Sequence, residues 1–551
     1  MRLTGFLSIA LAAGLLQAQD AVTIRVDATA RLGAFKPIYS FFGYDEPNYT
    51  YGKYGPKLVG ELARLSPVPV YVRTHFMLCT GDGTPGLKWG STNAYTEDAS
   101  GKPRYDWTIT DRIFDTYLKA GAKPFVEIGF MPEALSTKPE PYKPTWIPGA
   151  RNEQYSIGWS YPPKDFDKWR ELVYQWVKHS VEKYGRAEVE SWYWEVWNEP
   201  DISYWHGTPE EYDRLYDSAA AGLKRALSTA RIGGPATTSP RSARAAEYLR
   251  QFLAHCAEKK SPLDFITYHA KGQPRVVGDH VQMGLGSEMN DVARGMEVIH
   301  QFPQYAGLPI ILSEADPEGC AACSARVYPH NAYRNGTLYP SYTAAALNNI
   351  LILADRLKGN IAGMLTWAFE FEDQPYFDGF RTLATNGIDK PVLNVFRMFG
   401  LMKGERVQTQ SSAAAAVDVI LKSGVRERAD VNALATRAER EIAAMVWNYH
   451  DDDLTSVPGA AVELTIAGIP ADAKRVLLRH YRIDEEHSNA YAVWKSMGRP
   501  QNPSAEQYAR LEAAGQLETL TSPEWIAPEG GKVVTRFNLP RQGVSLVQVS
   551  W

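Results

Sequence analysis

At 551 residues, with 44% hydrophobic and 22% charged side chains, the chain has the composition of a globular protein of two or three domains. A net charge of -4 excludes the basic field that holds nucleic acid. Fifteen Trp and 30 Tyr supply flat faces of the kind that stack on sugars, although large cores use them as well.

The first 19 residues read as an export signal. Arg2 gives the positive start, residues 6–16 an apolar run, and Ala18 or Gln19 the cleavage point. A membrane span needs about 20 apolar residues, so this run predicts secretion to the periplasm or beyond and no anchor. Residues 20–34 follow as a strand, alternating from Val22, that is expected to join a sheet formed much later in the chain.

From 35 to 404 one theme recurs: an apolar run, a polar or Gly-containing loop, then an amphipathic stretch. The runs cover 38–44, 68–75, 124–130, 192–198, 231–235, 264–269, 309–314 and 363–371, with helical patterns such as 165–184, 209–227 and 342–357 between them. Near-continuous apolar runs mark parallel strands covered on both faces. Eight strand–helix units predict an α/β fold, a (β/α)8 TIM barrel. Thr208-Pro209-Glu210-Glu211 marks a helix start, with a hydroxyl at the N-cap, proline at the first position and Glu at the third.

Four cysteines are present. Cys320 and Cys323, three apart in an exported chain, are candidates for a disulfide that pins a loop. A zinc site would need a second such pair, and only His330 lies near, so neither metal nor cofactor is expected. After 405 the texture changes to short alternating segments, 443–448, 461–466, 474–481, 532–537 and 544–549, which predict an antiparallel β-sandwich. One helix interrupts it, opened by the capping box Ser504-Ala-Glu-Gln507 and running to 517.

Glycosidic bonds are cut by two carboxyl groups, one donating a proton to the leaving oxygen and one attacking or activating water. Glu199 and Glu314 each stand at the C-terminal end of a predicted strand, the fourth and the seventh, so both face the barrel mouth where such enzymes build their sites. Either one alone could be a salt-bridged rim residue. Asn198 directly before Glu199 strengthens the catalytic reading. Glu195 lies four residues earlier, on the same side of its strand but deeper, and a buried carboxylate there needs a partner, for which Arg73 is the candidate.

Trp197-Asn198-Glu199-Pro200, together with Tyr71-Val-Arg-Thr-His75, 124–132 and His487-Ser-Asn-Ala-Tyr491, resembles family 39 of the glycoside hydrolases, a retaining (β/α)8 family. The resemblance implies Glu199 as acid/base and Glu314 as nucleophile, the acid being kept protonated by apolar surroundings and by its charged neighbour. It further implies that Asn198 donates to the sugar 2-hydroxyl, that His75 and His269 bind hydroxyls rather than merely pack, and that Trp367 forms the floor under the sugar. For Glu127, ion pairing and hydroxyl binding stand level.

The family includes β-xylosidases and α-L-iduronidases. Tyr268-His-Ala-Lys271-Gly, Glu314-Ala-Asp-Pro and Phe380-Arg381-Thr-Leu resemble iduronidase segments in which cations grip a sugar carboxylate; Lys271 would do so as a point charge and Arg381 as a fork. Much else, including 193–196 and the C-terminal region, resembles the xylosidases, and both cations could instead serve loop salt bridges. The expected activity is a retaining exo-glycosidase, a β-xylosidase first and an α-L-iduronidase-like enzyme second, with carbohydrate as its partner. A catalytically inactive carbohydrate-binding protein is the alternative of another class, but it would be expected to have lost one of the two glutamates. The insert at 320–339 is longer than the xylosidase connection, and if it folds over the mouth it restricts substrate length.

Overall fold

The computed structural model describes residues 21–147, 155–367, 369–454 and 456–551; the expected export signal at 1–19 lies outside them. Eight parallel strands close into a barrel: Phe41–Tyr44, Tyr71–Thr74, Lys123–Ile128, Tyr193–Val196, Arg231–Thr237, Phe265–Lys271, Ile310–Asp316 and Ile361–Trp367. They are called the first to eighth barrel strands below, and each falls on one of the apolar runs. The sixth and seventh run two residues beyond the expected ends, while the eighth stops at Trp367 rather than at 371.

The barrel interior is layered by the two-residue period of its strands. At the bottom, Phe41, Tyr71, Phe125, Tyr193 and Phe265 form a ring-on-ring plug, with centroids 4.9–6.3 Å apart. Two residues further up come Arg73, Glu127 and Glu195, all fully buried. The alternate side chains face outward: Trp194 meets Trp176 of the helix Phe166–Tyr184 at 5.5 Å. The fourth strand is thus apolar on its outer face, while on its inner face Tyr193 joins the plug and Glu195 the charged layer above it.

The fourth strand leads through a loop to the helix Pro209–Ala226, opened by the Thr208–Glu211 capping box, with both reciprocal bonds formed. The helix between the seventh and eighth strands, Leu338–Leu357, is buried on almost every side. A helix apolar all round must be covered all round, and here the barrel covers one side while Met445, Trp447 and Leu546 of the C-terminal sheet join the same core on the other.

The C-terminal region is one continuous ten-stranded sheet curled over its own apolar core, to which Val26, Val446, Leu464 and Val547 all contribute. The N-terminal strand Val22–Ala34 lies within it, antiparallel to Glu405–Ser411 and parallel to Ala460–Ala467, so one pair departs from the expected antiparallel pattern. Three helices accompany this sheet where one was expected: Val417–Ser423, Ala490–Ser496 and Ala505–Ala514, the last ending short of 517. The first two are only seven residues long, too short for the helical period to stand out from the surrounding strand pattern. Among the described residues no helix is long and apolar enough to cross a membrane.

Candidate active site

The fourth strand ends at Val196, and the next three residues turn sharply. Trp197 and Glu199 adopt left-handed backbone conformations, at φ of 70° and 46°, which side-chain-bearing residues hold only when their surroundings fix them. The fixing contacts are present: Trp197 N–H donates to Ile128 O at 3.2 Å, Glu199 N–H to Ala236 O at 2.9 Å, and Trp197 Nε1 to Tyr204 O at 3.0 Å. Asp201 closes the turn by accepting from the Thr238 amide at 2.8 Å and from its hydroxyl. Tied to the third and fifth strands, the loop brings Glu199 to His269.

Glu314 reaches the mouth by another local device. The pairing of the sixth and seventh strands slips between Leu312 and Glu314, so that Leu312 stands beside Tyr268 but Glu314 beside His269, and Asp316 beside Lys271. A bulge adds one residue and reverses which face the following side chains take. Ser313 is that residue, and it places Glu314 and Asp316 with His269 and Lys271.

The two glutamates meet across one histidine. His269 Nδ1 is 2.9 Å from Glu199 Oε1 and 3.8 Å from Glu314 Oε1. Those distances laid end to end put the two oxygens at most 6.7 Å apart. The side chain of Glu199 is 19% exposed and that of Glu314 8%. The two carboxyl groups therefore stand together across His269, with Glu199 nearer solvent.

Glu314 is held by cations. Its Oε2 lies 2.7 Å from Lys271 Nζ and 3.3 Å from Arg381 Nη2, and its Oε1 3.8 Å from Arg73 Nη1. Burial opposes its ionisation, but the charges of Lys271, His269 and Arg381 outweigh burial and hold the carboxyl well below the ordinary carboxylate range. Lys271 and Arg381 also share Asp316, at 2.8 and 3.4 Å, and Asp316 accepts from the Trp367 amide at 3.0 Å. Asp316 was not singled out from sequence. Its spacing two residues after Glu314 was the available signal, on a strand that continues past the expected end.

Arg73 organises the layer beneath. Its Nε donates to Glu195 Oε2 at 2.6 Å, the partner expected, and Glu127 lies at 3.2 Å. Burial raises the Glu127 carboxyl well above its ordinary value, Arg73 notwithstanding. Arg73 Nη2 also donates to Asn198 Oδ1 at 3.0 Å. A guanidinium only donates, so Asn198 must turn its oxygen to Arg73. The buried Nδ2 is left without a hydrogen-bond partner among the described residues.

His75 follows the second strand, with Nε2 2.9 Å from Arg73 and Nδ1 2.8 Å from Asp45. Burial lowers its pKa, and the arginine contact makes Nε2 the acceptor, so His75 is neutral with its proton facing Asp45. Asp45 in turn pairs with Lys88, and that charge together with the hydrogen bond from His75 keeps its carboxyl below the ordinary range against burial. Neither Asp45 nor Lys88 was picked out from sequence, because they lie in loops whose approach depends on the barrel closing. Trp367 is buried beneath this group, 4.3 Å from the His75 ring and within 6 Å of the Arg73 and Arg381 guanidiniums. All eight expected site residues are thus brought to one mouth.

A cleft of about 670 Å³ opens beside the pair, lined among others by Trp146, Tyr155, Tyr204, Cys320, Tyr328 and Asn331. It is linked to the carboxylates through their neighbours: Gly319, on its wall, accepts from Arg381 Nη1 at 2.8 Å, and Tyr204 lies five residues after Glu199. Cys320 and Cys323 form a disulfide, and the insert that follows supplies part of the lining. Asn48 and Asn335, in sequence contexts suited to glycan attachment, are buried and hydrogen-bonded, which leaves no room for a glycan on the folded chain. Among the described residues no cluster of His, Cys, Asp and Glu is disposed to hold a metal ion.

Comparison with known proteins agrees with this geometry. The model of glycosyl hydrolases family 39 matches residues 70–527. A β-xylosidase of Geobacillus stearothermophilus is 28% identical over 480 residues, 84% of this chain and 85% of that protein. An α-L-iduronidase of Mus musculus is 26% identical over 431 residues, 70% of this chain and 63% of that one. In overall shape the chain is similar to the crystal structure of a monomeric β-xylosidase from Caulobacter crescentus CB15, at a TM-score of 0.75 and 22% identity, covering 96% of this chain and 99% of that one.

Proposed function

This chain belongs to glycosyl hydrolase family 39, and from that premise we propose a retaining exo-glycosidase that releases a terminal sugar by double displacement. The observation that carries the proposal is the pair Glu199 and Glu314, facing each other across His269 with oxygens at most 6.7 Å apart. Retention calls for carboxyl groups about 5–5.5 Å apart and inversion for about 6.5–9.5 Å; the upper bound favours the closer geometry. Glu314, kept ionised by Lys271 and Arg381, attacks the anomeric carbon. Glu199, on the open side, gives its proton to the departing oxygen. Water enters where the leaving group stood, Glu199 takes a proton from it, and the Glu314 ester is cleaved.

Around that exchange the other side chains bind and orient. The free amide hydrogens of Asn198 are offered to the 2-hydroxyl, a bond that strengthens as positive charge grows at the neighbouring anomeric carbon. Arg73 fixes which way that amide points. His75, backed by Asp45, and His269 address further hydroxyls, and Trp367 supplies the floor. With the inner end closed by Trp367 and the charged layer below it, a single terminal residue fits better than the middle of a polymer. Secretion is part of the proposal: the N-terminal export pattern and the Cys320–Cys323 disulfide both suit an oxidising compartment.

For the sugar, a β-xyloside is the first reading. Lys271 and Arg381 are balanced by Glu314 and Asp316, so the site needs no carboxylate from its substrate. A relative named a β-xylosidase is aligned over 84% of this chain, against 70% for the mouse α-L-iduronidase. One observation favours a uronide. Once Glu314 becomes an ester its charge is gone, and the two cations face Asp316 alone, leaving room for a substrate carboxylate. Hydrolysis of nitrophenyl β-xyloside beside methylumbelliferyl α-L-iduronide and β-glucuronide decides between them, with product stereochemistry followed by NMR. Turnover of none of these, or an inverted product, sinks the respective part of the proposal.

A further inference from the structure

We propose that the ion pair Arg241–Asp291 positions Lys271: it grips the main chain of that residue and so fixes where its ammonium meets Glu314 and Asp316. The inference rests on the reading of Glu314 as nucleophile and adds two residues through which that carboxylate is held in place.

The need for a grip follows from the strand lengths. Lys271 ends the sixth barrel strand, whose pairing with the fifth goes no further than Tyr268 beside Thr237. On that side His269, Ala270 and Lys271 run beyond their neighbour. Lys271 is nonetheless buried, and buried main-chain groups require partners. The ion pair supplies them. Lys271 N–H donates to Asp291 Oδ2 at 3.1 Å, and Lys271 O accepts from Arg241 Nη1 at 2.8 Å. The same Nη1 donates to Asp291 Oδ2 at 2.7 Å, and the Arg241 N–H donates to Asp291 Oδ1 at 2.9 Å. Carboxylate, guanidinium and both polar main-chain groups of one residue thus close a ring, doing for Lys271 what further length of the fifth strand would have done.

The two partners come from separate elements. Asp291 lies on the helix Leu285–Ile299, which follows the sixth strand, and Arg241 in the loop before the helix Ala243–Lys259. The first helix packs close against the strand because residue 295 is glycine: a Cβ there would run into the Tyr268 ring. The Tyr268 hydroxyl then ties the helix down by donating to Val292 O at 3.0 Å. Asp291 is fully buried, and burial raises its carboxyl to about 6 against the charge of Arg241, so it is ionised at neutral pH. Water could satisfy one peptide group. An ion pair that shares a single Nη1 between carboxylate and carbonyl also fixes their spacing.

What is fixed is the root of a flexible side chain. The Lys271 ammonium sits 2.7 Å from Glu314 and 2.8 Å from Asp316, and a shift at its main chain re-aims it between them. Errors of about 1 Å in such supports cost up to about 10²-fold in rate.

The test is a mutant cycle on the glycone that the substrate panel identifies. Asp291→Asn and Arg241→Met are each made in wild type and in Lys271→Met, where no ammonium remains to be positioned. In wild type, kcat/KM on a natural linkage at neutral pH should fall about tenfold, through kcat and with KM unmoved. In Lys271→Met the same changes should cost less than about twofold. Tm should drop equally in both backgrounds, because the same main-chain groups are orphaned. Equal fold-losses of kcat/KM in both backgrounds, or no loss in wild type, overturn the proposal and leave the pair as the completion of a strand. Should Asp291→Asn fail to fold, Arg241→Met, at a side chain 23% exposed, decides by itself. An unmutated chain that turns over nothing in the panel overturns the glycosidase reading instead, and is seen before any variant is made.

Discussion

Lys271 Nζ lies 2.7 Å from Glu314 Oε2, on the neighbouring barrel strand, and 2.8 Å from Asp316 Oδ1. One ammonium thus bridges the proposed nucleophile and the carboxylate two residues beyond it. It is also the largest of the charges that oppose burial and keep Glu314 ionised.

Replacing that ammonium by a shape-matched apolar side chain, Lys271→Met, should raise the Glu314 pKa. The sign follows from the direction of its shift: a carboxylate with a depressed pKa is ionised above that value, so raising the pKa removes activity from the acid side only. The acidic limb of kcat/KM against pH, which reports the free enzyme, should move up by about one unit or more. If instead the limb stays put and only uronides lose rate, Lys271 serves a substrate carboxylate.

Glu199→Ala should separate substrates by their leaving groups. Natural linkages need a proton and should slow by about 10² to 10⁴, whereas an activated aryl glycoside should lose far less in its first step. Glu314→Ala should stop turnover of both. Parallel losses on both substrate types in Glu199→Ala would remove Glu199 from the acid role.

Asn198 offers a test in which the substrate is altered alongside the enzyme. If its free amide binds the 2-hydroxyl, Asn198→Ala should cost about 10²-fold on the natural glycoside and little on the 2-deoxy analogue. Equal costs on both would mean that the residue acts through its bond to Arg73 rather than through the sugar.

Much of this arrangement was legible before the chain was folded. Buried parallel strands are apolar along their length, so all eight stood out, and a glutamate at the end of such a run has no packing reason to be there. The Arg73–Glu195 pair could be expected because strand alternation sends both side chains inward. The roles of Asp316, Asp45 and Lys88 were not legible. Asp316 depends on a one-residue bulge at Ser313, which no local pattern announces, and Asp45 and Lys88 meet through loops brought together by barrel closure. The short helices Val417–Ser423 and Ala490–Ser496 were hidden for the reason that they span too few turns to show a period.

The layer around Arg73 predicts opposite effects for two buried glutamates. Glu195→Gln breaks the 2.6 Å pair and leaves part of a buried cation uncompensated, so it should destabilise by about 3–5 kcal/mol at neutral pH. Glu127 has its pKa raised well above the ordinary value by burial. A group raised in the fold lends stability below its unfolded pKa and loses it as pH climbs towards the folded one. Glu127→Gln removes that loss, so its Tm relative to wild type should improve steadily as pH rises above the ordinary glutamate range. Thermal melts across that range check both signs, and a Glu127→Gln difference that does not vary with pH would mean that the carboxyl is ionised in the fold.

The last prediction links the disulfide to the nucleophile. Arg381 donates from its backbone amide to Ala321 O at 3.0 Å and from Nη1 to Gly319 O at 2.8 Å, the carbonyls on either side of Cys320, while Nη2 reaches Glu314. Opening the ring by Cys320→Ala with Cys323→Ala frees both carbonyls and loosens the guanidinium. kcat should fall several-fold and the acidic limb should rise, in the same sense as for Lys271→Met but by less, since Lys271 remains. Arg381→Lys keeps the charge and gives up the fork, so in that background opening the ring should add little, because the two changes remove one shared constraint. Equal losses from ring opening in both backgrounds would show that the disulfide acts on the cleft wall alone and not through Arg381.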